Sequence, residues 1–330
     1  MKRRSFIAAA SLLAASALSP AGAFAGPVDI GYAVPDTTNP FLGWLTTEVK
    51  KLAEADGLNL EIADAGASPV KQMEQIENFI AMGVKVIDIM PVDPNNVQDI
   101  IQRAQSQGIK IFVQGTDTQV YDVMQNIDQH DAGKQAAEMS IDWITKTFSA
   151  DGTVDDIPKG ADAPKVIVIP ATDTIDAKNR SQGMIDAINA WGHATVVISP
   201  TEARSTAQGS SVMETLMLQN PDADVVLTYN ADTAMGVNEF IMGRSQTDKS
   251  HFGVFSGDWS PPVQETINMS LNNEAVFRGT IRIVGPELDG AAADLPVATL
   301  KIMKGLVEGK TPYGKWVKDV IAKSGPEQKG

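Results

Sequence analysis

Short apolar runs of strand length alternate with amphipathic stretches of helix length, and the whole alternation occurs twice along the chain. No other feature narrows the possible folds so far. Apolar strands separated by helices imply parallel sheets covered on both faces and joined by right-handed crossovers. The first series opens with an apolar run at 28–34, then a helical stripe of Phe41, Trp44, Leu45, Val49 and Leu52. A strand at 58–63 follows, then a helix from Ser68-Pro69 carrying Val70, Met73, Ile76 and Ile80 and ending at Gly83. A strand at 84–90, a helix capped by Asp93 before Pro94 and closed by Gly108, and a strand at 109–114 complete the series. After a helix at 132–148 and a polar loop at 149–164, the second series reads strand 165–170, helix 175–191, strand 194–198 and helix 205–218. Strand 224–229, helix 233–242 and strand 252–255 continue it. A helix from Pro261, a strand at 276–284 and a long C-terminal helix finish the chain. The expected class is α/β, with two similar doubly wound parallel-sheet lobes.

The first residues bear on the compartment. Lys2, Arg3 and Arg4 precede an apolar run at 6–18 of about a dozen residues, too short for a membrane span, and Ala23-Phe24-Ala25 supplies a small-x-small cleavage pattern. Residues 1–25 are therefore expected to be a signal peptide cleaved after Ala25. The tract Arg3-Arg4-Ser5-Phe6-Ile7 fits the twin-arginine route as well as an ordinary secretory n-region. The chain has no cysteine, hence neither a disulfide nor a lipid-modified cysteine, so a free protein of the periplasm is expected. Removing Lys2, Arg3 and Arg4 from the 27 Lys and Arg leaves 24 against 41 Asp and Glu, a net charge of −17. Such a surface repels phosphate backbones and anionic lipid, which argues against nucleic-acid binding and membrane adhesion. About 305 mature residues exceed what one core usually supports, so two domains are expected.

In open parallel sheets, ligands bind outside the carboxyl ends of the strands. Those segments carry Asp36 and Asn39, Asp93, and Asp117 in the first series, and Asp173, Asn230 and Asp258 in the second. Phe41, Tyr229 and Trp259 lie nearby. Carboxylates and amides hold vicinal hydroxyls through paired hydrogen bonds, and an aromatic face covers the C–H side of a sugar ring, so this set suits a polyhydroxylated ligand. Asn39 before Pro40 serves equally as a helix cap, and Asp36, Asp117 and Asp173 serve equally as loop residues. The chain shows no GxGxxG after its first strand, no P-loop, no GxSxG and no cysteine nucleophile, and His130, His193 and His251 are far apart. No enzyme activity, cofactor or metal is expected.

The segments Asn39-Pro40-Phe41-Leu42, Arg180-Ser181-Gln182-Gly183 and Tyr229-Asn230-Ala231-Asp232 followed by Gly236 resemble those of the periplasmic ribose- and galactose-binding proteins, the type I sugar receptors of ABC importers. The resemblance runs over nearly the whole mature chain. It implies ligand contacts from Asn39 and Phe41 in one lobe and from Arg180, Asn230 and Asp258 in the other, with Arg180 presenting a planar fork. It also implies three crossings between lobes, placing 26–129 with 285–313 in one and 130–284 with 314–330 in the other. A monomer that closes on a sugar or sugar alcohol and delivers it to the importer's membrane permease subunits follows from the resemblance. Pro35, Leu42 and Gly115-Thr116 depart from the family pattern, and Arg204 stands where an aromatic wall is often found. These departures keep a modified sugar or sugar acid open as ligand, as well as a furanosyl signalling molecule presented to a sensor. An α/β enzyme and a transcription regulator of the same fold are the competing classes; the regulator would need an N-terminal helix-turn-helix.

Overall fold

The structure, a computed structural model, describes residues 27–288 and 291–327; the expected signal peptide lies outside the described residues. The first series comprises β1 (Ile30–Val34), α1 (Pro40–Ala55), β2 (Leu60–Asp64), α2 (Pro69–Met82), β3 (Val86–Ile89), α3 (Gln98–Ser106), β4 (Lys110–Gln114) and β5 (Val123–Asn126). The second comprises α4 (Gln129–Phe148), β6 (Lys165–Ile169), α5 (Ile175–Trp191), β7 (Thr195–Ile198), α6 (Thr206–Gln219), β8 (Val225–Thr228), α7 (Ala231–Gly243), β9 (Gly253–Ser256), α8 (Pro261–Met269) and β10 (Phe277–Leu288). A short β11 (Ala291–Ala292), α9 (Leu295–Val307) and β12 (Trp316–Ser324) follow.

The strands of the first series pair in the order β2-β1-β3-β4-β5 and those of the second in the order β7-β6-β8-β9-β10. The two orders are the same permutation. In each, the order reverses beside the first strand, and that reversal opens a crevice at the carboxyl ends. β1, β3 and β8 are buried at every position, as strands covered on both faces by helices must be. In the first half Tyr32, Val49, Phe112 and Met303 pack in one core cluster and Phe79, Ile87, Ile100 and Val113 in another. In the second half Ile167, Met213 and Phe252 belong to one cluster and Ile144, Val168 and Phe255 to another. β12 ties the halves together: its Trp316–Lys318 segment pairs parallel with β5, and its Asp319–Ser324 segment pairs antiparallel with β10.

Local chemistry explains where the helices begin. Ser68, Asp128, Thr174 and Ser205 each accept a hydrogen bond from the backbone N–H three residues on, a cap worth about 1 kcal/mol. Helices α4 and α5 cross at contact distance, because a Cβ on Gly133 would lie 1.9 Å from the Arg180 carbonyl oxygen and one on Gly183 would lie 2.0 Å from that of His130. Only glycine fits there, and the crossing sets the position of the α5 turn that bears Arg180.

Three elements differ from the sequence expectation. Helix α3 begins at Gln98 rather than after Asp93; the Asp93 carboxylate accepts from Asn95 N at 2.9 Å and Asn96 Nδ2 at 2.6 Å, so it closes a turn and caps no helix. Asn95 and Asn96 favour such local turns over helix. The long C-terminal helix is instead the 13-residue α9, ended near Gly309 at φ 74°, and then β12. β5 was not expected either: four residues reading Val-Met-Gln-Asn carry too little periodicity to mark a strand.

Candidate ligand-binding site

The Arg180 side chain sits where the second half meets the first. Ser181 Oγ donates to the Ala171 carbonyl at 3.0 Å and accepts from its N–H at 2.9 Å, which pins α5 to the segment after β6. Arg180 is then held on three sides: Nε donates to Gln129 Oε1 at 2.8 Å, and Nη1 donates to Asp258 Oδ1 at 2.8 Å and to the Tyr229 carbonyl at 3.3 Å. Its residue is 5 % exposed, yet Nη2 makes no hydrogen bond to a described residue. Burial pulls the guanidinium pKa down, but the charges of Asp258, Tyr229 and Asp176 outweigh it and the net direction is up. Gly257 is a requirement of this geometry, since a Cβ there would lie 2.6 Å from Arg180 Nη1. Asp258 takes a left-handed conformation at φ 67°, which aspartate tolerates better than most residues.

Around Arg180 the two halves meet along a polar seam. Asn39 caps α1 by accepting from Leu42 N at 3.0 Å, and its Nδ2 donates across the seam to Asp232 Oδ2 at 2.6 Å. Asn126, at the end of β5, donates to Asp176 Oδ2 at 3.0 Å. The indole of Trp44 on α1 meets that of Trp259 edge-on, with centroids 5.5 Å apart. On the second half, Tyr229 has the Arg180 guanidinium 4.8 Å and that of Arg204 4.4 Å from its ring centroid. Arg204 also ion-pairs with Asp173. Arg282 of β10 lies 4.2 Å over Trp259, and its buried Nε has no partner.

Negative charge accumulates here. Burial, with the charges of Asp258 and Asp36, pushes the Asp232 carboxyl up to about 6 against the opposing pull of the Asn39 bond. Burial also raises the pKa of Asp176. Beneath the seam, burial drives the Asp88 carboxyl well above the carboxylate range, although Gln114 donates to it; Gln114 also donates to the Tyr32 hydroxyl at 3.3 Å.

Of the residues singled out in the sequence, the structure brings together Asn39, Arg180, Asp258 and Trp259, with Phe41 6.1 Å from Trp44. Asn230 is the α7 cap, accepting from Thr233 N at 3.0 Å while its amide donates to the Arg204 carbonyl at 3.0 Å, so both ends of its side chain are engaged. Asp36 and Asp117 accept from backbone N–H groups two residues on, in their own turns; Asp117 is exposed and Asp36 half-buried. Asp173 reaches the seam through Arg204. Asp232, Asp176, Asn126, Trp44 and Arg282 were not singled out as site residues, although Asp232 lies in the motif that contains Asn230; Tyr229 was noted as an aromatic beside the strand ends. A cavity of about 560 Å³ between α1 and α9 shares no residue with the seam. The site is assigned on converging polar groups rather than on cavity size. No described helix is long and apolar enough to cross a membrane.

The periplasmic binding protein domain family matches residues 30–281. The ribose import binding protein of Escherichia coli K12 is 25% identical over 261 residues, which span 78% of this chain and 81% of the relative. A crystal structure from Mycobacterium smegmatis in complex with β-D-fucofuranose superposes with a TM-score of 0.73 at 21% identity, covering 90% of this chain and 91% of that one. The periplasmic binding component of an arabinose ABC transporter from Shewanella sp. ANA-3, bound to L-arabinofuranose, superposes with a TM-score of 0.70 at 17% identity, covering 89% of this chain and 91% of the other.

Proposed function

The chain belongs to the periplasmic binding protein domain family, and from that premise we propose that it captures a sugar or sugar alcohol and hands it to the membrane permease subunits of an ABC importer. The observation that carries this reading is Arg180. It is a guanidinium fixed by three protein acceptors with Nη2 uncommitted, at a seam to which both halves contribute amides, carboxylates and indoles. Such a fork can engage a ring oxygen and a hydroxyl together, and neighbouring carboxylates accept from vicinal hydroxyls. The relatives support the class, since they are sugar-binding transport proteins.

On this reading 26–129 with 285–313 and 130–284 with 314–330 are the two lobes that close on the ligand. The protein is a monomer, exported by the signal peptide at 1–25 to the periplasm, and it performs no chemistry. A second reading, a sugar acid, is favoured by Arg282: its buried Nε is unpartnered and no described carboxylate pairs with it, so a ligand carboxylate would complete it.

A thermal-shift screen of aldoses in pyranose and furanose form, alditols and sugar acids tests the reading. At least one is expected to raise Tm in proportion to the logarithm of its concentration and to be recovered unaltered by mass spectrometry. A protein that responds to none of them, or that converts the ligand, is not a sugar receptor.

A further inference from the structure

Below the seam lies a pocket of about 50 Å³ walled by Phe41, Met90, Gln114, Gln125, Ile283 and Asp319. It sits at the carboxyl ends of β4 and β5, where an open sheet presents its ligand, and it shares Phe41 with the proposed sugar site. Its polar atoms are incompletely used. Gln125 is 1 % exposed and donates from Nε2 to Asp319 Oδ1 at 2.8 Å, while its Oε1 is buried with no partner. Asp319 is 6 % exposed and accepts from no described residue besides Gln125. The open positions are therefore a carbonyl oxygen and a carboxylate, and an orphaned buried acceptor is destabilising until a donor arrives.

We propose that this pocket is a subsite of the sugar site, taking one hydroxymethyl group whose O–H donates to Gln125 Oε1 or to the Asp319 carboxylate. The space has room for one such group, since a volume of roughly 10–15 Å³ on a probe measure already holds a water. Asp319 begins the β12 segment that pairs with β10, directly after the segment that pairs with β5. A hydroxymethyl bound there touches the strand that joins the two halves. Neither Gln125 nor Asp319 belongs to the constellation of aspartates, asparagines and arginines that marks the cleft.

The inference rests on the sugar reading, and the test separates the two. Titration calorimetry uses three trios that differ only at the exocyclic carbon: D-galactose, D-fucose and L-arabinose; D-allose, 6-deoxy-D-allose and D-ribose; D-glucose, 6-deoxy-D-glucose and D-xylose. The wild type is expected to prefer the hydroxymethyl sugar of its trio over the deoxy sugar at least tenfold. The double variant Gln125→Met with Asp319→Leu, which removes both members of the buried pair and leaves no orphan, is expected to lose that preference to within about threefold of parity. A wild type that binds a sugar without the preference, or a double variant that keeps it, overturns the subsite and leaves the sugar reading intact. A wild type that binds none of the nine overturns the subsite, and the sugar reading falls with it only when the wider screen of furanoses, alditols and sugar acids is negative as well. Should the double variant not fold, a crystal structure of the wild-type complex decides: a ligand hydroxyl within hydrogen-bonding distance of Gln125 Oε1 or Asp319 supports the subsite, and a water there in its place overturns it.

Discussion

Arg180 is buried, charged and tethered through Nε and Nη1, so the free nitrogen is presented in a fixed direction. Losing one member of a buried charged hydrogen bond costs roughly 2–5 kcal/mol. Arg180→Ala is therefore expected to raise the Kd for the sugar found by screening by tens- to thousands-fold, and an unchanged Kd by calorimetry would remove Arg180 from the site. Asp319 offers a second test at this scale. Burial pushes its carboxyl up to about 7, opposed only in part by the Gln125 bond. Its folded pKa thus exceeds the unfolded value, so the folded chain holds the extra proton between about pH 4 and 7. The contribution to stability is fully present at the acid end and is lost as pH rises through 7. Asp319→Asn, which stays neutral, should gain on the wild type by up to about 4 kcal/mol between pH 4 and 8 in urea unfolding. A difference between the two proteins that is flat with pH contradicts the burial of that carboxyl.

Among the elements, the α4–α5 crossing is the most exacting. Gly183→Ala places a methyl 2.0 Å from the His130 carbonyl oxygen, a backbone atom that cannot step aside, and overpacking of this kind costs typically 1–3 kcal/mol or more. A drop in Tm of several degrees is expected, with weaker sugar binding because Arg180 rides on the same helix. Gly243→Ala is the control, because nothing lies within 4 Å of its added methyl; an equal effect of the two substitutions would refute the packing account. Much of this level was legible beforehand. The strands of both series apart from β5, and helices such as α2 with Ser68-Pro69 at its start and Gly83 at its end, follow from periodicity and capping residues. β12 was not legible, because its alternation serves two different partners and it takes its place only when β5 and β10 are both present. Asp88 and Asp319 were equally hidden: an acid inside an apolar run or in a C-terminal segment shows its environment only after the sheet has formed. Asn39 and Asn230 could be read as polar groups at strand ends, yet only the folded chain shows that both cap helices while reaching a second partner.

The whole molecule brings Asp36, Asp232 and Asp258 close enough to raise the Asp232 pKa, and it does so where the two halves touch. Ionised carboxylates confronting one another from the two halves favour separation, whereas a polyol donates hydroxyls to both sides. One half alone satisfies only part of such a ligand, so the preference for the closed form comes from the second set of contacts. Trp44 and Trp259, 5.5 Å apart across the seam, should report the change as a shift in tryptophan fluorescence on sugar addition that Trp259→Phe abolishes. Persistence of the full signal in that variant would place the reporting indole elsewhere. The most direct test of capture by closure is solution scattering of verified ligand-free protein before and after saturation with the sugar found by screening. A smaller radius of gyration is expected with sugar, and an identical scattering profile at demonstrated saturation would contradict capture by closure.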